Sequence, residues 1–135
     1  MTEPSLQKLR ALAEEVIQNS YSPYSGFRVG ALILSGEDGL PFSGVNVENA
    51  SFGLTVCAER NALFKAVGEG VRTFSYLYIL SDGENPPLPC GACLQVLNEF
   101  CPPDMPVTCE SWSGAQRTFL LRDLLPFGFS FHKSE

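Results

Sequence analysis

The chain has 135 residues, with 9 basic and 15 acidic side chains, a formal net charge of −6 and a sequence pI near 4.7. Hydrophobic residues make up 44% of it and charged residues 18%, a composition that excludes intrinsic disorder for most of the chain. The length predicts a single domain spanning residues 1–135. The acidic balance argues against nucleic acids and anionic membranes as partners, because both are themselves negatively charged.

The first 20 residues contain three acidic side chains and lack the continuous apolar segment of a secretory signal. The longest apolar runs, such as 31–34 and 76–80, are far shorter than the roughly 20 residues that span a bilayer. We therefore expect a cytoplasmic protein. In that compartment, five cysteines favour metal binding or catalysis over disulfides.

Apolar residues at helical spacing between Leu6 and Ile17 predict an amphipathic first helix. Two strands, 27–35 and 42–47, follow as a hairpin around the turn-forming residues 36–39. A second helix is predicted at about 56–67, with Thr55 as its cap, and a buried strand at 73–81.

A proline-rich loop then leads into a third helix at 90–100 and a strand at 106–111. This order of elements predicts the α/β class, as a layered αβα sandwich on a mixed β-sheet. The segment 117–131 is left without a predicted element.

Three cysteines and a glutamate form the most specific pattern in the chain. Cys57 and Glu59 lie in one short segment. A second segment much further along the chain, Pro89-Cys90-Gly91-Ala92-Cys93, carries Cys90 and Cys93. Both segments fall at predicted helix starts, where free amides and the helix dipole stabilise metal-binding thiolates. Three sulfur ligands leave the fourth position of a tetrahedral zinc ion open to water. The pattern predicts an open zinc site, with Glu59 as proton shuttle and Arg60 donating hydrogen bonds to sulfur.

Spacing alone leaves alternatives open. Cys90 and Cys93 are also compatible with a thioredoxin-like redox pair. A closed structural zinc site with Cys101 or Cys109 as fourth thiolate would make the chain a binding module, although both are predicted to be buried bystanders. Arg60 has the alternative of a solvated position on the helix face. His132, the only histidine, is predicted to be exposed and not a ligand.

Further segments along the chain match the pattern of a known family. They are Tyr21-Ser22-Pro23-Tyr24-Ser25, Phe27-Arg28-Val29-Gly30-Ala31, Gly44-Val45-Asn46-Val47-Glu48-Asn49-Ala50-Ser51, Cys57-Ala58-Glu59-Arg60, Pro89-Cys90-Gly91-Ala92-Cys93-Leu94-Gln95-Val96-Leu97 and Leu124-Leu125-Pro126. Through these segments the chain resembles the small homotetrameric cytidine deaminases over nearly its whole length. The resemblance implies a cytidine deaminase-like fold and hydrolytic deamination of cytidine and 2′-deoxycytidine to uridine and 2′-deoxyuridine, with release of ammonia, in pyrimidine salvage. A deaminase of modified cytosine nucleosides is a related alternative.

By this resemblance, Cys57, Cys90 and Cys93 hold one zinc ion per chain. Glu59 moves a proton from the attacking water to N3 of the base and then assists the departure of ammonia. Backbone amides near Ala58 and Cys90 stabilise the tetrahedral adduct.

The resemblance also assigns residues to the substrate. Asn46 and Glu48 correspond to a ribose-binding pair, and Phe27 to an aromatic packed against the pyrimidine. Phe129 corresponds to a C-terminal aromatic that enters a neighbouring subunit's site in the homotetramer. From alternation along the strand alone, Asn46 and Glu48 would instead form a solvent-facing side.

Two positions depart from the family pattern. Leu94 stands where many members have arginine, so a basic group is missing beside the site. Phe52 stands where some members have tyrosine, which removes a hydroxyl and could shift the substrate preference.

Overall fold

The computed structural model describes residues 4–131 and contains one five-stranded sheet. In chain order the elements are α1 (Leu6–Val16), β1 (Val29–Ser35), β2 (Pro41–Val45), α2 (Ala58–Gly68), β3 (Phe74–Ser81), α3 (Gly91–Phe100), β4 (Pro106–Ser111), β5 (Gln116–Leu120) and α4 (Leu121–Leu124). The spatial order of the strands is β2-β1-β3-β4-β5. The β3–β4 pair is parallel and the other pairs are antiparallel, so the predicted mixed sheet is confirmed.

Helices cover both faces of the sheet. On one face, Leu9 and Ala13 of α1, together with Ile17 just after it, pack against the alternate strand residues Leu32 and Tyr78. The opposite face is covered by α2, α3 and α4, which bury the side chains of β1, β3 and β4 that alternate with the first set. The layered αβα sandwich is therefore confirmed. No helix within residues 4–131 has the length and apolar character needed to cross a bilayer.

Helix α2 lies unusually close to strand β2. Ala58 and Ala62, one helical turn apart, are fully buried and face the strand. A Cβ atom on Gly44 of β2 would lie 2.5 Å from the carbonyl oxygen of Ala58 and 2.9 Å from the Cα of Ala62. Glycine is therefore required at position 44, because a larger residue would push α2 away from the sheet.

The strand directions bring two helix starts to the same edge of the sheet. Strands β2 and β3 are both antiparallel to β1, so they run in the same direction, and β4 runs parallel to β3. Helix α2 follows β2, and α3 follows β3. Both helices therefore begin beyond the carboxyl ends of these strands, where α/β sheets characteristically bind ligands.

Some sequence expectations need correction. Thr55 does not cap α2; its hydroxyl accepts a hydrogen bond from the Asn49 amide, and Cys57 is the N-cap residue. Both hairpin strands are shorter than predicted. Strand β2 ends at Val45, and Val47 instead forms isolated bridges to Tyr21 and Val56. The segment 117–131 contains most of β5 and all of α4. Strand β5 is an edge strand with three exposed residues at its start, so it carries little apolar periodicity.

Candidate functional site

Three cysteine sulfurs converge where α2 and α3 begin. The Sγ atoms of Cys57 and Cys90 are 3.8 Å apart, those of Cys90 and Cys93 are 3.5 Å apart, and all three lie within 4.8 Å of one another. Two sulfurs bound to one tetrahedral zinc ion at about 2.3 Å are separated by roughly 3.8 Å. The observed spacing and the three-thiol donor set therefore fit a zinc ion. The third sulfur favours this site over a redox pair of Cys90 and Cys93 alone.

The helix termini explain why these thiols can become anionic. Cys57 and Cys90 are the N-cap residues of α2 and α3, and Cys93 lies in the first turn of α3. Neither N-cap side chain caps its own helix through a hydrogen bond. The free amides of two helix N-termini thus surround the sulfurs with positive potential, which stabilises thiolates.

Arg60 points its guanidinium at the same cluster. Its Nη2 lies 3.7 Å from the Sγ of Cys57 as a hydrogen-bond donor. The hydrogen bond from the Cys93 thiol, followed by that from Arg60, holds the pKa of Cys57 well below its ordinary value. The Nε of Arg60 is buried without a hydrogen-bond partner among residues 4–131. Arg60 is therefore oriented toward the sulfurs rather than extended into solvent.

Glu59 lies in the first turn of α2 beside these thiols. Its side chain is buried, with 5% of the residue exposed. Burial, with a smaller contribution from the neighbouring Cys57, raises the pKa of Glu59 to about 7, although a backbone hydrogen bond and the charge of Arg60 oppose the shift. A carboxyl with this pKa exchanges protons near neutral pH, which is the property required of a general acid and base.

A cleft of about 190 Å³ opens over the cluster. Sequence reasoning identified most of its walls but missed Val29, Pro87 and Leu88, because apolar and proline residues carry no chemical signature. Thr55 was predicted only as a helix cap. The cleft is lined by Phe27, Val29, Asn46, Thr55, Cys57, Ala58, Glu59, Pro87, Leu88 and Cys90.

Asn46 is buried in the cleft wall and does not face solvent. Its Oδ1 accepts hydrogen bonds from the Val29 amide at 3.0 Å and the Ser20 hydroxyl at 2.5 Å. Its Nδ2 donates to the carbonyl oxygen of Phe27 at 2.8 Å. Asn46 therefore fixes the backbone on both sides of residue 28, which places the Phe27 ring at the cleft.

Glu48 lies in a neighbouring cleft of about 430 Å³, lined by Tyr24, Ser25, Glu48, Phe52 and Thr55. Its carboxylate accepts hydrogen bonds from the amides of Tyr24 and Ser25 at 2.9 and 3.1 Å, and from the Ser25 hydroxyl. The Ser25 hydroxyl is the main cause that lowers the pKa of Glu48. Thr55 lines both clefts, so they adjoin.

The two departures from the family pattern lie in different surroundings. Leu94 is buried in the hydrophobic core under α3, so its side chain contributes packing rather than charge. Phe52 is exposed, and its ring packs edge-on against that of Tyr24, with centroids 6.0 Å apart.

The remaining candidates lie elsewhere. Phe129 is not among the described residues that line either cleft, and its side chain is exposed. Cys101 and Cys109 are buried in the core and do not belong to the sulfur cluster, so the closed four-thiolate site is not formed. His132 falls outside the described residues.

Comparisons with known proteins agree with this geometry. A family model described as the zinc-binding region of cytidine and deoxycytidylate deaminases matches residues 4–109. A protein named cytidine deaminase from Sporosarcina psychrophila is 45% identical over 125 residues, which cover 93% of this chain and 91% of that protein. A protein named probable cytidine deaminase from Dictyostelium discoideum is 44% identical over 131 residues, 96% of this chain and 87% of its own.

Solved structures give the same result. The crystal structure of cytidine deaminase from Burkholderia pseudomallei matches with a TM-score of 0.88 at 40% identity, covering 93% of this chain and 100% of that chain. The structure of cytidine deaminase from Mycobacterium tuberculosis matches with a TM-score of 0.80 at 33% identity, covering 96% and 100%.

Proposed function

The chain belongs to the zinc-dependent cytidine deaminases, and we propose that it performs their reaction with Glu59 beside one zinc ion held by Cys57, Cys90 and Cys93. The reaction is the hydrolytic deamination of cytidine to uridine with release of ammonia, and it serves pyrimidine salvage. We extend the proposal to 2′-deoxycytidine. The observation that carries the site assignment is the buried carboxyl of Glu59 next to three thiols at zinc-ligand spacing.

When bound, zinc supplies a Lewis acid that lowers the pKa of water and so provides a nucleophile near neutral pH. Glu59 accepts the proton that this water loses and holds it out of contact with bulk solvent. It then donates this proton to N3 of the pyrimidine. In the second half of the reaction, Glu59 accepts the proton of the hydroxyl group added at C4, which becomes the carbonyl of uridine, and passes it to the leaving amino group. Its pKa of about 7 allows both transfers within one turnover.

Other residues offset charge and position the base. Arg60 and the helix amides counter the negative charge of the three thiolates, which would otherwise weaken the Lewis acidity of the metal. Amides near Ala58 and Cys90 stabilise the adduct formed at C4 of the base. The Phe27 ring packs against the pyrimidine within the cleft.

The ribose is assigned to Asn46 and Glu48. Asn46 uses one Nδ2 hydrogen on the Phe27 carbonyl, which leaves a second for a ribose hydroxyl. The lowered pKa of Glu48 keeps its carboxylate ionised and ready to accept hydroxyl hydrogens. Free cytosine would leave the second Nδ2 hydrogen of the buried Asn46 without this hydroxyl partner, so the site should discriminate strongly for nucleosides.

The activity is tested by following the ultraviolet spectrum of cytidine as it converts to that of uridine, with the zinc content of the purified protein measured in parallel. We expect turnover of cytidine and 2′-deoxycytidine and rates at least about 100-fold lower on free cytosine. Cytidine monophosphate and an oligonucleotide should also react poorly, because their phosphates meet an acidic protein and Glu48. Comparable rates on cytosine or on the oligonucleotide would contradict the nucleoside assignment.

The enzyme is assigned a homotetrameric assembly with dihedral symmetry, in which sites are completed across interfaces by Phe129. The support is a run of exposed aromatics in the tail, since Phe127, Phe129 and Phe131 are 95%, 67% and 86% exposed. Light scattering should give four times the chain mass of 14.7 kDa. A stable monomer with full activity would refute the shared site.

The working unit is a single catalytic domain, residues 1–135, that acts in the cytoplasm on small nucleosides. Both core clusters pack on one sheet, which supports a single domain. Five free cysteines suit a reducing compartment. The net charge of −6 supports the absence of nucleic-acid and membrane partners.

A further inference from the structure

The tail after α4 returns to α3 and is held there by its backbone. The side-chain amide of Gln95 bonds to Phe129 in both directions: Nε2 donates to the Phe129 carbonyl oxygen at 2.8 Å, and Oε1 accepts from the Phe129 amide at 3.0 Å. Asn98, on the next turn of α3, donates to the same carbonyl at 3.1 Å. We call these two side chains the tail clamp.

The backbone before Phe129 lies tightly against the same helix. A Cβ atom on Gly128 would lie 2.8 Å from Cγ of Asn98 and 2.7 Å from Cδ2 of Leu125. The tail thus has close packing on one side and hydrogen bonds to its main chain. Its aromatic side chains take no part in this anchoring, and the rings of Phe129 and Phe131 remain largely exposed, with centroids 6.4 Å apart.

An aromatic side chain that inserts into another subunit needs a fixed backbone and a free ring, and here different groups meet these two requirements. The backbone is fixed to its own subunit, while the ring is left free for another surface. A tail ordered before association loses less conformational entropy when its ring is buried. The tail clamp bonds only to backbone atoms of Phe129, so it holds this residue independently of the side chain. Helix α3 therefore sets the direction in which the Phe129 ring points.

We infer that Gln95 and Asn98 are positioning residues that present Phe129 to a second copy of this chain, so that helix α3 serves two active sites. The same helix holds Cys93 of its own centre, two residues before Gln95, and through the clamp it supplies the ring received by the neighbour. The inference rests on the proposed function in one respect, namely that Phe129 completes a neighbouring site.

The test uses the zinc-loaded enzyme and the variant Gln95→Met, which keeps the length and helix propensity of the side chain but removes both hydrogen bonds. Gln7→Met is the matched control, because Gln7 is an exposed glutamine on α1. The first readout is hydrogen–deuterium exchange in the peptide that contains Phe129. The second is the kinetic effect of Gln95→Met alone and combined with Phe129→Ala.

In Gln95→Met, we expect exchange at the Phe129 amide to accelerate about tenfold, since two hydrogen bonds are lost. KM for cytidine should rise severalfold with zinc content unchanged, and Gln7→Met should match the parent enzyme. Gln95→Met should add little further loss to Phe129→Ala, because both act through one ring.

Unchanged exchange in Gln95→Met would overturn the inference, and so would a kinetic loss that adds fully to that of Phe129→Ala. If Phe129→Ala alone remains a fully active tetramer, the shared site of the proposed function fails, and the positioning role fails with it. Accelerated exchange in Gln95→Met would still establish the anchoring, so the two failures are distinguishable.

Discussion

The pKa values of Glu48 and Glu59, eleven positions apart, are shifted in opposite directions by their surroundings. Burial raises the pKa of Glu59 to about 7, whereas hydrogen bonds from the Ser25 hydroxyl and two amides lower that of Glu48. The first can carry a proton at neutral pH, and the second stays ionised as an acceptor. Both residues are glutamates, so the difference between their roles comes from the environment and not from the residue type.

Replacing Cys90 tests the metal centre. Cys90→Ala removes one of three thiolates and leaves two, which hold zinc weakly, so we expect zinc to fall well below one ion per chain and activity to fall with it. Elemental analysis of purified protein measures this directly. Cys101→Ala is the control that should retain zinc, because its sulfur lies in the core. Undiminished zinc in Cys90→Ala would exclude it as a ligand.

The two core cysteines should be chemically inert in the folded enzyme. Burial raises the pKa of both Cys101 and Cys109 to about 12. At pH 8 the reactive thiolate is then only about one part in ten thousand, before access is considered. Mass spectrometry after brief treatment with iodoacetamide should find both unmodified until denaturant is added. Rapid modification of either thiol in the native holoenzyme would show that the core is open there.

At the scale of single residues, the sequence predicted the three cysteines that the fold brings together, because their spacing and placement at helix starts follow from local chemistry. It could not supply the burial of Asn46. Alternation along the strand predicts a solvent-facing side chain, yet Asn46 bonds to residues 17 and 26 positions away. Only the resemblance to a family placed it in the site, since burial depends on contacts that are remote in sequence.

Among the elements, the close packing of α2 on β2 carries the clearest prediction. Gly44→Val places atoms where the backbone of Ala58 and Ala62 already lies, so it should destabilise the enzyme by about 3 kcal/mol. Gly68→Ala is the control, because a Cβ there meets nothing within 4 Å. Urea unfolding at fixed protein and zinc concentrations measures both.

An unchanged unfolding midpoint in Gly44→Val would contradict the close contact. Activity should fall together with stability in this variant, since α2 carries Cys57 at its N-cap and Glu59 in its first turn.

The elements that sequence predicted well are those with strong periodicity. The observed ends of α1, α3, β3 and β4 all lie within two residues of the predicted ends. Strand β5 and the single turn of α4 were not predicted, because an exposed edge strand and a four-residue helix carry too little apolar pattern. Thr55 was predicted as the cap of α2 because it precedes the helix. In the structure its hydroxyl instead accepts a hydrogen bond from the Asn49 amide.

For the whole molecule, the site is a consequence of topology. Helix α2 connects β2 to β3, and α3 connects β3 to β4. These three strands run in the same direction, so both helices begin at the same edge of the sheet. Cys57 and Cys90, 33 positions apart in sequence, thereby come within 3.8 Å. The local motifs predicted the cysteine cluster, and the strand order explains how its members can meet.

The central claim is that Glu59 carries the proton in a hydrolysis at a three-cysteine zinc centre. The variant Glu59→Gln keeps the size of the side chain but cannot transfer a proton, and Glu69→Gln, at the end of the same helix, is the exposed control. The most direct measurement is kcat for cytidine per bound zinc in both variants. We predict that Glu59→Gln retains one zinc per chain and loses at least about 100-fold in kcat, with Glu69→Gln unchanged. Near-parental kcat in zinc-loaded Glu59→Gln would contradict the account.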